Sequence, residues 1–292
     1  MNENVKNDFE KFLFEEAGSS GRGTVSTYIR ALDVLNDALA RSVSQNVPRG
    51  DVWQIESPAK LMSLQRFVVE QQRKYVQSRA GIFSSLSSGG RSYYEKRWCS
   101  AALRQLAAFR QTEIYAGALN TAFDSSKEGA AVSDKVRLVR LGTSSCFVPE
   151  NVDPDSREGK EAVAVAKRRI NQSVFRRWIV GLYENRCCVT GLNVPEVLRA
   201  SHIVSWASDK QNRMNPCNGL CLSATYDAAF DRHLISFDEE YRMVLSKRIR
   251  DFCDNATCAN YFLKMEGRKI DLPTRFFPSQ KLLAKHRALL VS

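Results

Sequence analysis

Histidine and cysteine are scarce in this sequence, and long apolar runs are missing from it. The 292 residues include only 3 His and 8 Cys. Eight cysteines in a chain of this length are too few for a disulfide scaffold, so we expect reduced thiols and a cytoplasmic protein. No window approaches the roughly 18 apolar residues of a membrane-spanning helix, and we expect no membrane span. The first residues carry acidic side chains and no apolar stretch, so we expect no secretory signal there.

The positive charge of the sequence is unevenly distributed. Residues 1–134 carry 17 Lys and Arg against 15 Asp and Glu, whereas residues 135–292 carry 26 against 17. The net charge of +11 therefore lies almost entirely in the second part. A basic excess attracts polyanions by counterion release, which favours a nucleic acid as partner, with a solvated basic surface as the alternative.

The hydrophobic pattern changes along the chain and predicts an α+β protein of two domains. Residues 1–122 place apolar side chains at helical intervals and predict an α-helical domain. Residues 123–160 contain SSKEGAA and ENVDPDSREGKE, the turn-rich and charged composition of a linker. Residues 161–292 then form the second domain.

Within the second domain, the pattern alternates between short strands and helices. We predict a helix over 161–183, strands over 187–190 and 198–203, a polar loop over 205–217, a short helix over 222–231 and a hairpin of 234–237 with 241–245. Short helices and loops follow from Lys247 onward.

Five motifs follow one another in this domain. They are Arg169, Gln172, Phe175 and Arg176; Cys188-Val189-Thr190-Gly191; Ser201-His202-Ile203-Val204-Ser205-Trp206; Asn215-Pro216-Cys217-Asn218-Gly219-Leu220; and Phe230-Asp231. Together and in this order they resemble the HNH endonuclease family, in the branch found in bacterial restriction and phage-defence nucleases. The resemblance covers about a quarter of the chain. It implies a ββα-metal core, in which two strands and a helix surround one divalent ion.

The chemistry that the resemblance implies is hydrolysis of DNA phosphodiesters with Mg²⁺, or Mn²⁺, as cofactor. Such hydrolysis needs an activated water and a cation close to the developing negative charge. His202 is the expected general base, because a neutral imidazole accepts a proton near neutral pH. Asn218 is expected to orient the loop of the base or to give an amide oxygen to the metal. An ordinary Asn-Gly turn is the alternative.

Two positions depart from the family pattern and affect the metal ligands. The residue before the base is often acidic in the family, but here it is Ser201. The last His of the family pattern is replaced, since Tyr226 and Asp227 occupy its place. We expect Asp227, Asn218 and Ser201 to hold the metal. His233 is the alternative ligand, although a structural role is favoured for it. Asp231 is expected to brace the helix and hairpin, with a ligand role as the alternative.

The arginines of the domain favour contacts with DNA, and the spacing of its cysteines does not favour a zinc site. Arg169, Gln172 and Arg176 fall on one helix face, and with Arg177 the two arginines are expected to contact DNA phosphates. A helix face that braces the core is the alternative. The cysteines lack zinc-ribbon spacing, so buried thiols are favoured for them, with a structural zinc site as the alternative.

The sequence thus predicts a metal-dependent DNA endonuclease that acts in restriction or phage defence. One alternative is a DNA-binding protein with a decayed HNH core, which the departures at Ser201 and Asp227 motivate. A second is an RNase or nuclease toxin, although no base-stacking RNA motif is visible. For residues 1–122 we expect a recognition or regulatory module that acts through a partner protein, a modified base or an autoinhibitory contact. A helical bundle without further function is the alternative.

Overall fold

The computed structural model describes residues 2–17, 22–42, 47–86, 90–142, 144–149 and 152–291. Its helices are α1 Asn2–Ala17, α2 Arg22–Arg41, α3 Pro58–Ser78, α4 Arg91–Glu95, α5 Trp98–Asp124, α6 Gly129–Leu138, α7 Arg157–Leu182, α8 Ala224–Asp231, α9 Lys247–Asp251, α10 Ala256–Tyr261 and α11 Gln280–Arg287. Its strands are β1 Leu198–His202, β2 Gly219–Ser223, β3 Ile235–Phe237 and β4 Met243–Leu245. None of the helices in these ranges has the length and apolarity that crossing a membrane requires.

The chain divides into two compact units. The first contains Met1–Tyr115 and Leu141–Lys167, and the second contains Ala116–Arg140 and Arg168–Ser292. Each unit is thus formed by two separate stretches of the sequence.

The first unit is helical and is built around aromatic side chains. Phe9 of α1 packs against Trp53 and Phe109, with ring centroids 5.8 and 5.6 Å apart. Helix α3 begins where the Ser57 hydroxyl accepts the Lys60 amide, and it has Pro at its first position. The helices expected from the apolar spacing of residues 1–122 are present in this unit as α1, α2, α3, α4 and most of α5.

The second unit contains two antiparallel strand pairs with α8 between them in sequence. Strand β1 pairs with β2 so that Leu198 lies opposite Ser223 and His202 lies opposite Gly219. Strand β3 pairs with β4, as the alternation in 234–245 predicts. Helix α8 packs on both strands of the first pair. All five residues of β2 are buried, and the strand contacts β1 and α8.

Two predicted elements of the second unit differ from the structure. The strand predicted over 187–190 is wrong, because these residues form a tight turn in which Gly191 N donates to Cys187 O. Gly191 supports that turn with a φ of 72°. The helix predicted over 222–231 begins only at Ala224, since residues 222 and 223 complete β2. The other predicted helix, 161–183, is present as α7 and begins at Arg157.

The stretch 123–160, expected to be a linker, contains helix α6. Val132 of this helix is fully buried, and its first residue, Gly129, lies so close to Cys217 that an added Cβ would be 2.3 Å from the Cys217 Sγ. The compact units therefore do not follow the expected divisions 1–122, 123–160 and 161–292, since α6 packs within the second unit and α7 begins before 161.

Candidate active site

A cleft of about 420 Å³ opens where β1, α7 and α8 meet. Strand β1 ends with His202 in the cleft wall, and α8 turns Asp227 and Asp231 toward the same space. The lining residues are Gln172, Phe175, Arg176, Arg199, Ala200, Ser201, His202, Ser205, Trp206, Asp227 and Asp231. The fold thus brings the predicted base together with two carboxylates that are far from it in sequence.

His202 is held on three sides. Its ring stacks on Phe175 with centroids 3.9 Å apart and planes 11° apart, and it meets the Trp206 ring edge-on at 5.5 Å. Its Nε2 lies 3.0 Å from the backbone oxygen of Arg213. A carbonyl oxygen only accepts hydrogen bonds, so Nε2 carries the proton and Nδ1 is the nitrogen left to accept one. Burial lowers the pKa of His202, while the Arg213 carbonyl acts in the opposite direction.

The close stack of Phe175 on His202 depends on a glycine. Gly219 faces His202 in the β1–β2 register. An added Cβ at this position would lie 2.3 Å from Ile179 Cδ1 and 2.9 Å from Phe175 Cζ. Any side chain here would therefore push α7 away from the hairpin and move Phe175 relative to the imidazole.

The carbonyl that orients His202 is that of Arg213, and it belongs to a loop that is stabilised by contacts among its own residues. The Arg213 Nε donates to the Trp206 carbonyl at 2.7 Å, and the Arg213 guanidinium lies over the Trp206 ring at 5.3 Å. Helix α6 supports the same loop, since the Ser133 hydroxyl and the Arg137 Nη2 both donate to Gln211 O. The residues expected to be a linker therefore help to hold the hydrogen-bond partner of His202 in place.

Asn218 lies behind the cleft and fixes the loop that follows His202. Its Oδ1 accepts the Val204 amide at 2.8 Å, and its Nδ2 donates to the carbonyls of Val204 and Asn212 at 3.1 and 3.0 Å. The side chain is fully buried. Of the two roles predicted for Asn218, this geometry favours orientation of the loop over donation of an amide oxygen to a metal.

Asp227 and Ser201 meet in the cleft. The buried Ser201 hydroxyl donates to Asp227 Oδ1, which orients the carboxylate and leaves its second oxygen for another partner. Asp231 follows one helical turn later, at the rim. Partial desolvation raises the pKa of Asp231, and the nearby Asp227 carboxylate adds to the effect. The negative charges of Asp227 and Asp231 repel each other, and a bound cation would reduce this electrostatic repulsion.

The donor set of the cleft fits a hard divalent cation. Mg²⁺ binds oxygen ligands, keeps several waters and is held in proteins by one or two carboxylates. Asp227 and Asp231 supply those carboxylates, and the Ser201 hydroxyl is an additional oxygen. Within the described residues no group of three His, Cys, Asp or Glu side chains could hold a metal by itself. Waters and substrate oxygens would have to complete the coordination.

The other two histidines form a separate pair. His233 Nδ1 lies 3.1 Å from His286 Nε2, and His286 stacks on Phe230 with centroids 3.8 Å apart. Tyr226, at the other position considered for the last family His, is buried and donates its hydroxyl to Tyr261 O. The geometry thus favours the structural role predicted for His233, and it leaves Asp227 as the replacement in the cleft.

The three arginines expected to bind DNA have different surroundings on α7. Arg176 lies in the cleft wall, where its guanidinium donates to the carbonyls of Leu198 and Pro195 at 2.7 and 3.1 Å. Those bonds attach α7 to the start of β1, so Arg176 braces the core. Arg169 and Arg177 are exposed, as contacts to a polyanion require.

The cysteines near the hairpin are free thiols. Cys188 is buried, and its pKa is raised mainly by that burial. Burial also raises the pKa of Cys221 to about 12. Such thiols stay protonated near neutral pH and behave as small apolar residues of the core.

The cleft contains one residue for which the sequence suggested mainly a structural role, Asp231, and one group that the sequence did not suggest, the Arg213 carbonyl. The four-residue spacing of Asp227 and Asp231 places both carboxylates on one face of α8, and that spacing was a readable signal for a joint role. Arg213 acts through its backbone carbonyl, and no sequence pattern marks a carbonyl as the partner of a distant histidine.

A comparison with family models matches part of the second unit. Residues 187–238 match the model described as HNH endonuclease. The matched segment holds His202, Asn218 and Asp227, and it ends before α9. No curated protein matches the chain. The second unit therefore contains a segment similar to HNH endonucleases, which supports nuclease activity on nucleic acid.

Proposed function

We propose that this protein is a metal-dependent endonuclease that hydrolyses DNA phosphodiesters with His202 as general base. The observation that carries the proposal is the arrangement in one cleft of an imidazole in a fixed orientation and two carboxylates one helical turn apart, within a segment similar to HNH endonucleases.

The base works through Nδ1, because Nε2 donates to the Arg213 carbonyl. Nδ1 accepts a proton from water as the water oxygen forms a bond to phosphorus, and the bond from phosphorus to the leaving sugar oxygen breaks. The stack on Phe175 keeps solvent from one ring face and lowers the pKa, so the imidazole is neutral at neutral pH. Arg213 and Asn218 act as positioning residues for this step.

Asp227 and Asp231 would hold the metal, for which we propose Mg²⁺ or Mn²⁺, with Ser201 keeping Asp227 in place. The ion would stabilise the negative charge that develops on the phosphate and the leaving oxygen. Asn218, which the sequence suggested as a ligand, is not one in this proposal, because its amide is hydrogen-bonded to Val204 and Asn212.

DNA is proposed as substrate because the basic excess lies in residues 135–292, which hold 26 Lys and Arg against 17 Asp and Glu. Arg169 and Arg177 are exposed on α7 to contact phosphates. Free cysteines suit a reducing cytoplasm. Restriction or phage defence is the setting that the motif set favours. In that setting the helical first unit would control the nuclease by recognising a partner protein or a modified base, or by an autoinhibitory contact.

The function is tested by incubating the full-length chain with supercoiled plasmid in Mg²⁺, in Mn²⁺ and in EDTA, with RNA as a parallel substrate. We expect nicked or linear plasmid with either metal and none with EDTA. DNA binding without cleavage under every metal condition would favour the decayed-core alternative. Cleavage confined to RNA would favour the RNase alternative.

A further inference from the structure

The segment 247–269 lies outside the residues that match the HNH family, yet it is attached directly to the helix of the candidate site. Tyr226 of α8 donates its hydroxyl to Tyr261 O and meets the Phe262 ring at a centroid distance of 5.7 Å. Tyr226 precedes Asp227 in the chain. Within the segment, the thiol of Cys253, two residues after α9, is in contact with the thiol of Cys258 in α10. The segment is therefore fixed at the back of α8.

The outer surface of this segment combines exposed rings with positive charge. Phe252 is 67% exposed and Tyr261 is 49% exposed, although the structure buries most of its aromatic side chains. The segment carries six basic residues against three acidic ones. The basic residues are Lys247, Arg248, Arg250, Lys264, Arg268 and Lys269, all exposed. Among them and within the described ranges, only Arg250 forms an ion pair, with Glu266.

We infer that the surface of α9 and α10, with Phe252 and Tyr261 as its rings, binds unpaired bases of the substrate DNA. Exposed rings provide stacking surfaces for bases, and lysines and arginines beside them contact the phosphates of the same strand. A duplex does not offer base faces for stacking, so the preferred substrate class is DNA with a single-stranded portion. The inference rests on the proposal that DNA is the substrate.

Binding is measured with the full-length His202→Ala protein, so that no cleavage occurs, on a labelled single strand and on its duplex. We expect tighter binding of the single strand. Stacking contributes about 1–3 kcal/mol per base, which converts to a loss of roughly fivefold to a hundredfold when Phe252→Ala or Tyr261→Ala removes one ring. Duplex binding should stay unchanged. Phe277→Ala is the matched control, since Phe277 is 51% exposed and lies outside the segment.

The salt dependence separates the two kinds of contact. The ring variants should keep the slope of log affinity against log salt, whereas Lys247→Gln with Arg248→Gln should reduce that slope by about 0.7 per charge on a single strand. The inference is overturned if ring removal leaves single-strand affinity unchanged, or if duplex affinity falls equally. It is also overturned if Phe277→Ala has the same effect, or if the ring variants instead change the sedimentation of the free protein. Plasmid cleavage by the unmutated protein is a separate readout, so failure of the proposed function remains distinguishable.

Discussion

We predict that acid destabilises the second unit because it protonates the buried imidazole of His286, which lies beside His233. Burial, followed by the nearby His233, lowers the pKa of His286 to about 4, while the Phe230 carbonyl opposes the shift. The His286 Nε2 lies 3.0 Å from that carbonyl and therefore carries a proton, so Nδ1 accepts the Ser236 hydroxyl at 2.9 Å. The native state thus favours a neutral imidazole whose Nδ1 already accepts a hydrogen bond.

The magnitude follows from the two pKa values. A histidine that titrates at 6.5 when unfolded and at about 4 when folded binds its proton more readily in the unfolded state. The contribution of His286 to the free energy of unfolding is therefore present above pH 6.5 and is lost as the pH falls toward 4. Each pKa unit is about 1.4 kcal/mol, so the free energy of unfolding should decrease by about 1.8 kcal/mol between pH 7 and pH 5, and by about 3 kcal/mol at pH 4.

The assay is urea unfolding at a series of pH values for the unmutated protein and for His286→Gln. The Gln amide can still donate to the Phe230 carbonyl, but it does not titrate in this range. The variant should be less stable at pH 7 and should lack this component of the pH dependence. The difference in stability between the two proteins should therefore narrow as the pH falls. Parallel curves between pH 7 and pH 5 would mean that His286 does not link the stability of the protein to pH.

Three further predictions concern the cleft. Phe175→Leu exposes the imidazole of His202, so the acid limb of kcat/KM should move to higher pH, toward the ordinary histidine pKa of 6.5. Arg213→Ala removes the contacts to Trp206 but keeps the carbonyl, and kcat should fall by roughly tenfold to a hundredfold with KM little changed, because the base is misplaced. Asp227→Asn should abolish Mg²⁺-dependent cleavage, with partial recovery at high Mn²⁺, while single-strand binding at the α9–α10 surface persists.

Each of these has an outcome that contradicts it. An unshifted acid limb in Phe175→Leu would mean that the stack does not control the pKa of the base. A rise in KM alone in Arg213→Ala would assign Arg213 to substrate binding. Full activity of Asp227→Asn in Mg²⁺ would remove Asp227 from the metal site, and the same substitution at Asp231 would then be the informative one.

The sequence predicted the elements around the cleft that local patterns specify. Strand β1, helix α7 and the β3–β4 hairpin follow from the spacing of apolar residues, and the position of Asp227 in the cleft follows from helical geometry. The strand predicted over 187–190 is wrong although Val189 and Thr190 are β-branched residues typical of strands. In the structure, Cys188 N makes one bond to Cys221 O, and the chain turns back at Gly191.

The remainder depends on contacts between distant residues, which a single sequence does not display. Three hydrogen bonds show this. The Arg213 carbonyl lies beside His202, the Asn218 side chain accepts the Val204 amide, and Ser133 of α6 donates to the Gln211 carbonyl. Residues 123–160 have the composition of a linker, yet the burial of Val132 makes part of that stretch a structural element.

The most direct test of the account compares His202→Ala with His233→Gln in plasmid cleavage at saturating Mg²⁺, with DNA affinity measured in parallel. Loss of a general base should lower the rate of His202→Ala by roughly a hundredfold to ten-thousandfold while leaving affinity unchanged, and His233→Gln should cleave at nearly the unmutated rate. Cleavage by pure His202→Ala at the unmutated rate would contradict the central claim. Loss of cleavage in His233→Gln alone, with its fold intact, would place the chemistry at the other histidine pair.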